Sequence, residues 1–295
     1  MPFTGFVCEA DGSPVASDDC LACARGGARP GCHMTAPVIN GILRHLRPDG
    51  FGLTVTTLLG CPRKWRLSQT HDYQLKPSEA WWSYRGQLMH GISAQYAEDD
   101  PFAIAEMRYE MTITIDGQPV TISGQPDLIL LDRATLVDYK TTKRIPGPWR
   151  AWACPDTGEV IRESQFVWRS RWMDCVSCGG RHVAGEIETI GEPRPYPHHV
   201  QQVSLYRLLL AENGIDVATA EIAYMDMATQ LRAPVELMSL DEARAMLVAR
   251  LPLFLQDDPP GVLTDPDDLW ACDFCPVRSA CEDLHGGPVG KVMNE

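Results

Sequence analysis

The stretch from Gly124 to Lys140 constrains the fold more than any other part of this sequence, because it combines two apolar runs with three charged residues outside the turn that joins them. The apolar runs 128–131 and 136–139 flank a four-residue segment, Asp-Arg-Ala-Thr, that is typical of a turn. Apolar runs of this length on either side of a turn predict a β-hairpin.

The charged residues of this hairpin that lie outside the turn are Asp127, Asp138 and Lys140. If Leu131 pairs with Leu136, the antiparallel register places Asp127 opposite Lys140, with Asp138 as its diagonal neighbour. Asp138 and Lys140 share one face of their strand, because strand side chains alternate with a period of two. Burying three ionisable groups among apolar neighbours is costly unless they bind something, most simply a divalent cation with oxygen ligands. A salt-bridged strand end is the alternative, and the Gly-x-Pro-Asp sequence at hairpin distance favours the metal site.

The net charge is −13 and the chain contains eleven cysteines. The N-terminus lacks the basic and apolar regions of a secretion signal, and no apolar run approaches the ~20 residues of a membrane span, so we expect a soluble, cytoplasmic protein. Disulfides are rare in that compartment, which makes metal binding the expected role of the cysteines. Nucleic-acid-binding domains are usually basic, but residues 140–182 have an excess of Lys and Arg, and a basic face on an acidic body is compatible with DNA.

The first group of cysteines lies in residues 1–48, a segment that is poor in apolar side chains. Such a segment needs a metal to order itself, and its Cys-x2-Cys pair is typical of tetrahedral zinc. We therefore predict an N-terminal zinc module, in which His33 could replace one thiolate; a disordered tail is the alternative. The predicted ligands are Cys8, Cys20, Cys23 and Cys32.

A second group of cysteines lies in residues 144–190, an irregular stretch that we interpret as an insertion. Its Cys-Pro-Asp-Thr and Cys-Val-Ser-Cys sequences look like the two knuckles of a zinc ribbon, with Thr157 where a cysteine would be. His182 is the candidate for the missing ligand, and a ribbon held by packing is the alternative. The predicted zinc ligands are Cys154, Cys175, Cys178 and His182.

The same insertion holds four of the eight tryptophans, interleaved with arginines. Such residues can stack on unpaired bases and bind phosphates, although the tryptophans could equally form the core of the insertion. The residues in question are Trp149, Trp152, Trp168 and Trp172, with Arg150, Arg162, Arg169, Arg171 and Arg181.

Apolar periodicity predicts further elements around the hairpin. These are helices at 36–46, 79–98, 196–212 and 240–255, a hairpin at 106–123 and a strand at 220–228. Thr54 or Thr56 is expected to cap a short helix that ends near Cys61. The apolar stripe of helix 79–98 is formed by Trp81, Tyr84, Leu88, Ile92 and Tyr96.

The order and spacing of these motifs resemble the RecB-like nucleases of the PD-(D/E)xK superfamily. The resemblance is to their iron–sulfur branch, which contains the CRISPR-associated exonuclease used in spacer acquisition and the AddB-type repair nuclease. It covers roughly residues 52–143 and 195–283, and several motifs in the expected order are a specific signal. The matching motifs are Cys61 in a Cys-Pro-Arg-Lys-Trp context, Arg85-Gly86-x3-His90, Gly124-x-Pro-Asp127, Asp138-Tyr-Lys140, Gln202-x3-Tyr206 and Cys272-x2-Cys275-x5-Cys281.

The resemblance implies an α/β fold with a central mixed β-sheet flanked by helices, as in restriction-endonuclease-like nuclease cores. The nuclease core would consist of residues 49–143 and 191–295, separated by the insertion at 144–190. The second part would carry the C-terminal cysteines. Together with Cys61 they would bind a 4Fe–4S cluster that joins two distant parts of the chain, with zinc as the alternative. The implied cluster ligands are Cys61, Cys272, Cys275 and Cys281.

The resemblance also implies a catalytic Mg²⁺ or Mn²⁺ and roles for the hairpin residues. Lys140 would orient or deprotonate the attacking water, and Gln202 and Tyr206 would position the metal site and the DNA backbone. The implied metal ligands are His90, Asp127, Asp138 and the backbone carbonyl of Tyr139.

The resulting expectation is a metal-dependent DNA exonuclease or end-trimming endonuclease that acts on single-stranded or frayed DNA. CRISPR spacer acquisition, DNA repair and a phage or mobile-element role are all open, with a CRISPR integrase or repair proteins as partners. One alternative is a catalytically silent scaffold subunit that binds DNA ends, which the intact Asp138 and Lys140 disfavour. Another is a zinc-ribbon transcription or RNA-processing factor, which leaves the hairpin without a purpose.

Overall fold

The computed structural model describes residues 3–46, 52–143, 145–164, 170–264 and 268–290. Within these ranges the chain forms eight α-helices and sixteen β-strands in five sheets, so the predicted mixed α/β class is confirmed. The helices are α1 (Ser17–Arg25), α2 (Ala36–His45), α3 (Val55–Leu59), α4 (Pro62–Thr70), α5 (Pro77–Ala97), α6 (Pro197–Glu212), α7 (Leu240–Leu255) and α8 (Arg278–His285).

The strands are short and most of them belong to hairpins. They are β1 (Phe3–Val7), β2 (Pro14–Val15), β3 (Leu53–Thr54), β4 (Tyr73–Leu75), β5 (Ala103–Ala105), β6 (Tyr109–Ile115), β7 (Gln118–Gly124), β8 (Leu128–Leu130), β9 (Thr135–Thr141), β10 (Trp149–Ala153), β11 (Val160–Ser164), β12 (Trp172–Asp174), β13 (Arg181–Val183), β14 (Glu188–Gly191), β15 (Thr219–Met225) and β16 (Gln230–Val235). No helix in the described ranges is long and apolar enough to cross a membrane.

The largest sheet is mixed and has the strand order β16-β15-β9-β8-β5. β9 runs parallel to β15 and antiparallel to β8, so the predicted central mixed sheet is present. α6 packs between this sheet and α7, and its buried Leu205 and Leu209 join Leu136 and Ile222 in the main core. The catalytic candidates on β9 therefore lie on a strand that forms part of the main core.

The central hairpin is confirmed as β8 and β9, but its predicted register is wrong by two residues. Leu128 pairs with Val137, which places Asp127 opposite Asp138 and not opposite Lys140. The two carboxylates of the hairpin are therefore direct neighbours across the strand pair, at positions where like charges repel unless a cation lies between them.

The register differs because Leu131 belongs to the turn and not to the strand. Leu131–Arg133 form a 3-10 turn, and Ala134 closes it in the left-handed conformation with φ 46°. The shift is even, so Asp138 and Lys140 remain together on the face that the sequence predicts.

The predicted hairpin at 106–123 is confirmed as β6 and β7. Ile115 pairs with Gln118, which leaves Asp116 and Gly117 as a two-residue turn in which both residues have positive φ. This is the geometry that an Asp-Gly turn favours, because it matches the twist of the two strands. With β3, these strands form a second sheet that shares the main core.

α5 is confirmed, but only the first half of its predicted apolar stripe is covered. Trp81 and Tyr84 pack against the N-terminal segment, whereas Leu88, Ile92 and Tyr96 are 42%, 50% and 74% exposed. The opposite side of the helix faces β9 and carries the histidine of the candidate site. The second half of the stripe is left in solvent for that reason.

The N-terminal segment is anchored on the rest of the chain. β1 pairs in parallel with β4, and the predicted helix at 36–46 forms as α2. Phe6, Ile39 and Ile42 are fully buried in an apolar cluster that also contains Ala80 of α5. The sequence predicts that this segment becomes ordered only by binding a metal. In the structure, packing against α5 also orders it.

The insertion is more regular than expected. β10, β11 and β14 form an antiparallel sheet, and β12 and β13 form a hairpin. The interpretation of this stretch as irregular was wrong because its strands are short and interrupted by cysteine turns. Trp152, Met173 and Ala184 are buried together as a small core. Trp168 and Arg169 lie outside the described residues.

Candidate functional site

Three side chains that can bind a metal converge beside the central hairpin. They are His90 of α5, Asp127 just before β8, and Glu106, and their ligand atoms all lie within 4.8 Å of one another. His90 Nδ1 is 3.2 Å from Asp127 Oδ1 and 3.8 Å from Glu106 Oε1. The structure thus brings together two of the predicted metal ligands and adds a third.

Glu106 is the ligand candidate that sequence reasoning missed. It has φ 52°, and its backbone N–H donates to the carbonyl of Asp127 at 3.2 Å, which turns its carboxylate toward the site. Gln125 donates to Oε2, whereas Oε1 is buried and has no hydrogen-bond partner among the described residues. Burial and the neighbouring Asp127 raise the pKa of Glu106. The position precedes a hairpin, and its sequence gave no signal of function.

Asp138 and Lys140 form an ion pair next to this group. Lys140 Nζ lies 2.5 Å from Asp138 Oδ2, and Asp138 is only 1% exposed. Burial raises the pKa of Asp138 to about 6, although the charge of Lys140 works in the opposite direction and Asp127 adds to the increase. Asp138 lies outside the three-residue group, so its role as a metal ligand remains a prediction.

Asp127 is held in place from both sides. The backbone N–H of Tyr139 donates to Asp127 Oδ2 at 2.6 Å, while Oδ1 faces His90. Burial disfavours a charged His90, but the hydrogen bond and the charge of Asp127, together with Glu106, outweigh it and raise the histidine pKa. Tyr139 thus contacts the site through its N–H, and ligation through its carbonyl remains a prediction.

Gln202 and Tyr206 lie beside Asp138, as the sequence predicts for one face of α6. Gln202 Nε2 is 3.3 Å from both Asp138 Oδ1 and the Tyr206 hydroxyl. Gly124 makes this approach possible, because a β-carbon there would lie 2.7 Å from Leu209 Cδ2 and 2.9 Å from Tyr206 Cε1. The glycine of the Gly-x-Pro-Asp motif therefore has a packing role.

This donor set fits a divalent cation. Two carboxylates and one imidazole suit Mg²⁺ or Mn²⁺, and the histidine favours Mn²⁺ of the two. A buried carboxylate oxygen without a hydrogen bond, as at Glu106, is costly unless a cation or a proton satisfies it.

The insertion contains a second candidate metal centre. The ligand atoms of Cys154, Cys175, Cys178 and His182 lie within 4.8 Å of one another, so the prediction that these four residues converge is confirmed. His182 Nε2 lies 3.3 Å from Cys178 Sγ and 3.6 Å from Cys154 Sγ. Thr157, at the position of the missing cysteine, hydrogen-bonds Cys154 and helps to lower its pKa to about 6, which favours the thiolate that metals require.

The four N-terminal cysteines line a single cavity of about 130 Å³. Burial, with the nearby Cys32 and Cys23, raises the pKa of Cys20 to about 11. Their sulfurs are not gathered as tightly as those of the insertion, since within the described ranges they form no group inside 4.8 Å. His33 is exposed and is not among the described residues that line the cavity.

The remaining four cysteines line a larger cavity of about 660 Å³, which they share with Gln202 and His198 of α6. Cys61 caps the N-terminus of α4, as its sulfur accepts a hydrogen bond from the backbone N–H of Lys64 at 3.4 Å. Thr54, one of the two predicted capping residues, caps the preceding helix α3. Cys61 therefore lies at the start of α4, where it lines the same cavity as the C-terminal cysteines Cys272, Cys275 and Cys281.

Basic residues help to position these cysteines. Arg63 Nε donates to Cys281 Sγ at 3.1 Å, and Arg250 of α7 donates to the carbonyls of Leu58 and Gly60 at the end of α3. Burial, followed by the other three cysteines, raises the pKa of Cys272. Like the N-terminal set, these sulfurs form no group within 4.8 Å in the part of the chain that the structure describes.

The predicted aromatic and basic surface of the insertion is divided in two. Trp152 belongs to the small core, so the packing alternative is right for that residue. Trp172 is 40% exposed, and the guanidinium groups of Arg171 and Arg181 lie 5.6 and 5.7 Å from its ring centroid. Trp172 is therefore arranged for an external ligand, and the guanidinium of Arg194 lies 5.1 Å from the ring centroid of Trp149.

Comparison with known proteins supports the fold and leaves the activity open. No protein-family model and no curated protein matches this sequence. The crystal structure of SSO0001 is similar to this chain with a TM-score of 0.50 and 16% sequence identity, and the match covers 83% of this chain and 93% of that one. A likeness at this identity shows a shared overall fold and carries no activity with it.

Proposed function

We propose that this protein is a metal-dependent DNA nuclease of the PD-(D/E)xK type. The proposal depends chiefly on one observation, the convergence of His90, Glu106 and Asp127 beside the buried Asp138–Lys140 ion pair. Ion pairs buried in this way are expensive to form, and a purely structural strand end would gain little from gathering two further carboxylates and a histidine beside one.

His90, Glu106 and Asp127 would hold Mg²⁺ or Mn²⁺, with Asp138 as a further candidate ligand. The ion would polarise the phosphodiester and lower the pKa of a bound water. Lys140 would orient or deprotonate that water and offset the negative charge of the transition state.

A chain of contacts holds the lysine in position. Tyr206 contacts Gln202, Gln202 contacts Asp138, and Asp138 holds the Lys140 ammonium group. Because Tyr206 and Asp138 are almost fully buried, this series of contacts leaves the Lys140 side chain little conformational freedom. Gln202 and Tyr206 are accordingly positioning residues, whereas Lys140 would contact the reacting atoms.

We assign a 4Fe–4S cluster to Cys61, Cys272, Cys275 and Cys281 as part of the same proposal. The 660 Å³ cavity that these cysteines line has room for a ligand larger than one ion. Zinc is proposed for the insertion, where three sulfurs and one imidazole are a common zinc donor set, and for the N-terminal cysteines. The exposed Trp172 and its arginines favour single-stranded or frayed DNA.

The test is a cleavage assay with end-labelled single-stranded and frayed DNA in Mn²⁺, Mg²⁺ or EDTA, with iron and zinc quantified on the same sample. We expect cleavage that depends on the metal and falls by about 10²-fold or more in Asp138→Ala and Lys140→Ala. Arg133→Ala, at the exposed hairpin turn, is the matched control and should retain activity. Equal activity in the two active-site variants would show that another site, or another protein, cleaves the DNA.

A further inference from the structure

Trp82 of α5 is exposed to solvent and has two cationic side chains close to its indole ring. The residue is 41% exposed, the guanidinium of Arg85 lies 4.4 Å from the ring centroid, and the Lys143 ammonium lies 4.6 Å from it. Two like charges over one ring repel each other, and a single cation–π contact would already provide the stabilisation that an exposed tryptophan can gain. The arrangement is therefore better suited to binding an anion than to packing.

The two cations lack carboxylate partners within the described ranges. Neither Arg85 nor Lys143 takes part in an ion pair there, although thirteen ion pairs do form. Arg85 Nε is buried without a hydrogen-bond partner among the described residues, and Arg85 Nη1 donates to the sulfur of Met227 at 4.0 Å. The chain has a net charge of −13, so two unneutralised cations at one position stand out.

This cluster is aligned with the candidate active site. Trp82, Gly86 and His90 follow one another at intervals of four residues and so share one face of α5. A β-carbon on Gly86 would lie 3.3 Å from Thr141 Oγ1, and the rings of His90 and Tyr139 are 6.2 Å apart.

α5 and β9 therefore run past each other in opposite directions, from His90 at the active site to Trp82 beside Lys143. Eight helical residues separate the two ends of this row, which corresponds to about 12 Å along the axis. That distance is within reach of the nucleotides next to the one being cleaved.

We propose that Trp82, Arg85 and Lys143 form a binding subsite for single-stranded DNA, in which a base stacks on the indole ring and an adjacent phosphate is held by the two cations. The inference rests on the proposed nuclease function and extends it, because it states how the strand enters the site. An aromatic face beside a basic group is the arrangement by which proteins bind unpaired nucleotides without reading their sequence. The subsite should therefore tolerate any base and discriminate against duplex ends that cannot fray.

The experiment measures binding of fluorescein-labelled oligo(dT) by fluorescence anisotropy in EDTA, where no cleavage takes place, over a series of salt concentrations. Trp82→Ala should weaken binding by roughly 5- to 100-fold, whereas Trp82→Phe should retain most of the affinity because it keeps a stacking face. Lys143→Ala should reduce the salt dependence of log K by about 0.7, the contribution of one phosphate contact on a single strand. Arg133→Ala should change neither quantity.

Cleavage by the same proteins separates the two proposals. In Mn²⁺, Trp82→Ala should raise KM and leave kcat close to that of the wild type. If the wild type cleaves DNA but Trp82→Ala binds and cleaves as well as it does, the subsite is wrong and the nuclease stands. If the wild type binds oligo(dT) through Trp82 but never cleaves it, the subsite stands and the nuclease is wrong. No binding of oligo(dT) by the wild type overturns the subsite.

Discussion

Glu106 and Gly124 show what single residues contribute to this site. Glu106 provides a carboxylate from a residue in the left-handed backbone conformation. Gly124 leaves room for the close approach of α6, because it has no side chain. The glycine belongs to a motif visible in the sequence, while the glutamate became identifiable only when the fold placed it beside Asp127. Local sequence patterns identify residues that belong to the same helix or strand. They do not identify a residue such as Glu106, which reaches the site only through the tertiary fold.

Gly124→Ala is expected to disturb both stability and the site. The added methyl group would press on Leu209 and Tyr206, and overpacking of this kind costs about 1–3 kcal/mol in the free energy of unfolding. Gly91→Ala is the matched control, because its methyl group would meet nothing within 4 Å and alanine favours the helix. Urea unfolding of both variants measures the difference. A Gly124→Ala protein as stable as the wild type would contradict the close packing of α6.

At the scale of elements, periodicity predicted the helices well. α5, α6 and α7 lie within two residues of their predicted bounds, because each is long enough for an apolar pattern to repeat. The predicted hairpin register was wrong because Leu131 is apolar like its neighbours on the strand but belongs to the turn. The second half of the α5 stripe was misassigned because the tertiary contact with β9, and not the apolar row, decides which side of the helix faces inward.

The strands of the insertion were missed for a related reason. They are three to five residues long and separated by cysteine turns, so no pattern repeats often enough to be recognised. The cysteine spacing nevertheless predicted which four residues meet. Ligand spacing in such turns constrains the structure more strongly than apolar periodicity does.

Removal of one of the four proposed zinc ligands should prevent the insertion from binding the metal and should destabilise its fold. We expect Cys175→Ser to contain one fewer equivalent of zinc and to expose Trp152, because small metal-bound elements draw much of their stability from the metal. Val176→Ser is the control, since this neighbour is 99% exposed. Elemental analysis and tryptophan fluorescence provide the measurement. The same zinc content in Cys175→Ser and wild type would show that the four residues do not hold the ion.

At the scale of the whole molecule, the proposed iron–sulfur cluster would connect parts of the chain that are more than two hundred residues apart. Cys61 lies at the start of α4 and the other three cysteines lie around α8, and α7 supports the junction through Arg250. A covalent link that closes so long a loop removes much of the entropy of the unfolded chain. The cluster should therefore act mainly as a structural link for the fold.

Cys275→Ala is expected to lose visible colour and iron, and to lower the free energy of unfolding by about 5 kcal/mol, the value that chain-entropy models give for closure of a loop of this length. Anaerobic purification with iron analysis and chemical unfolding tests this. Cys23→Ala serves as the comparison, because it removes a cysteine from another group and should leave the iron in place. Zinc in place of iron in the wild-type protein would rule out the iron–sulfur assignment.

The central claim is that the hairpin, α5 and Glu106 together hold the divalent cation used in catalysis. Anomalous diffraction at the manganese edge, from crystals soaked in Mn²⁺, tests it most directly. We predict a peak at bonding distance from His90, Asp127 and Glu106, which weakens strongly in crystals of Glu106→Gln and persists in Glu110→Gln, an exposed neighbour on β6. A crystal saturated with Mn²⁺ that shows no peak there, or an equally strong peak in Glu106→Gln, would contradict the account.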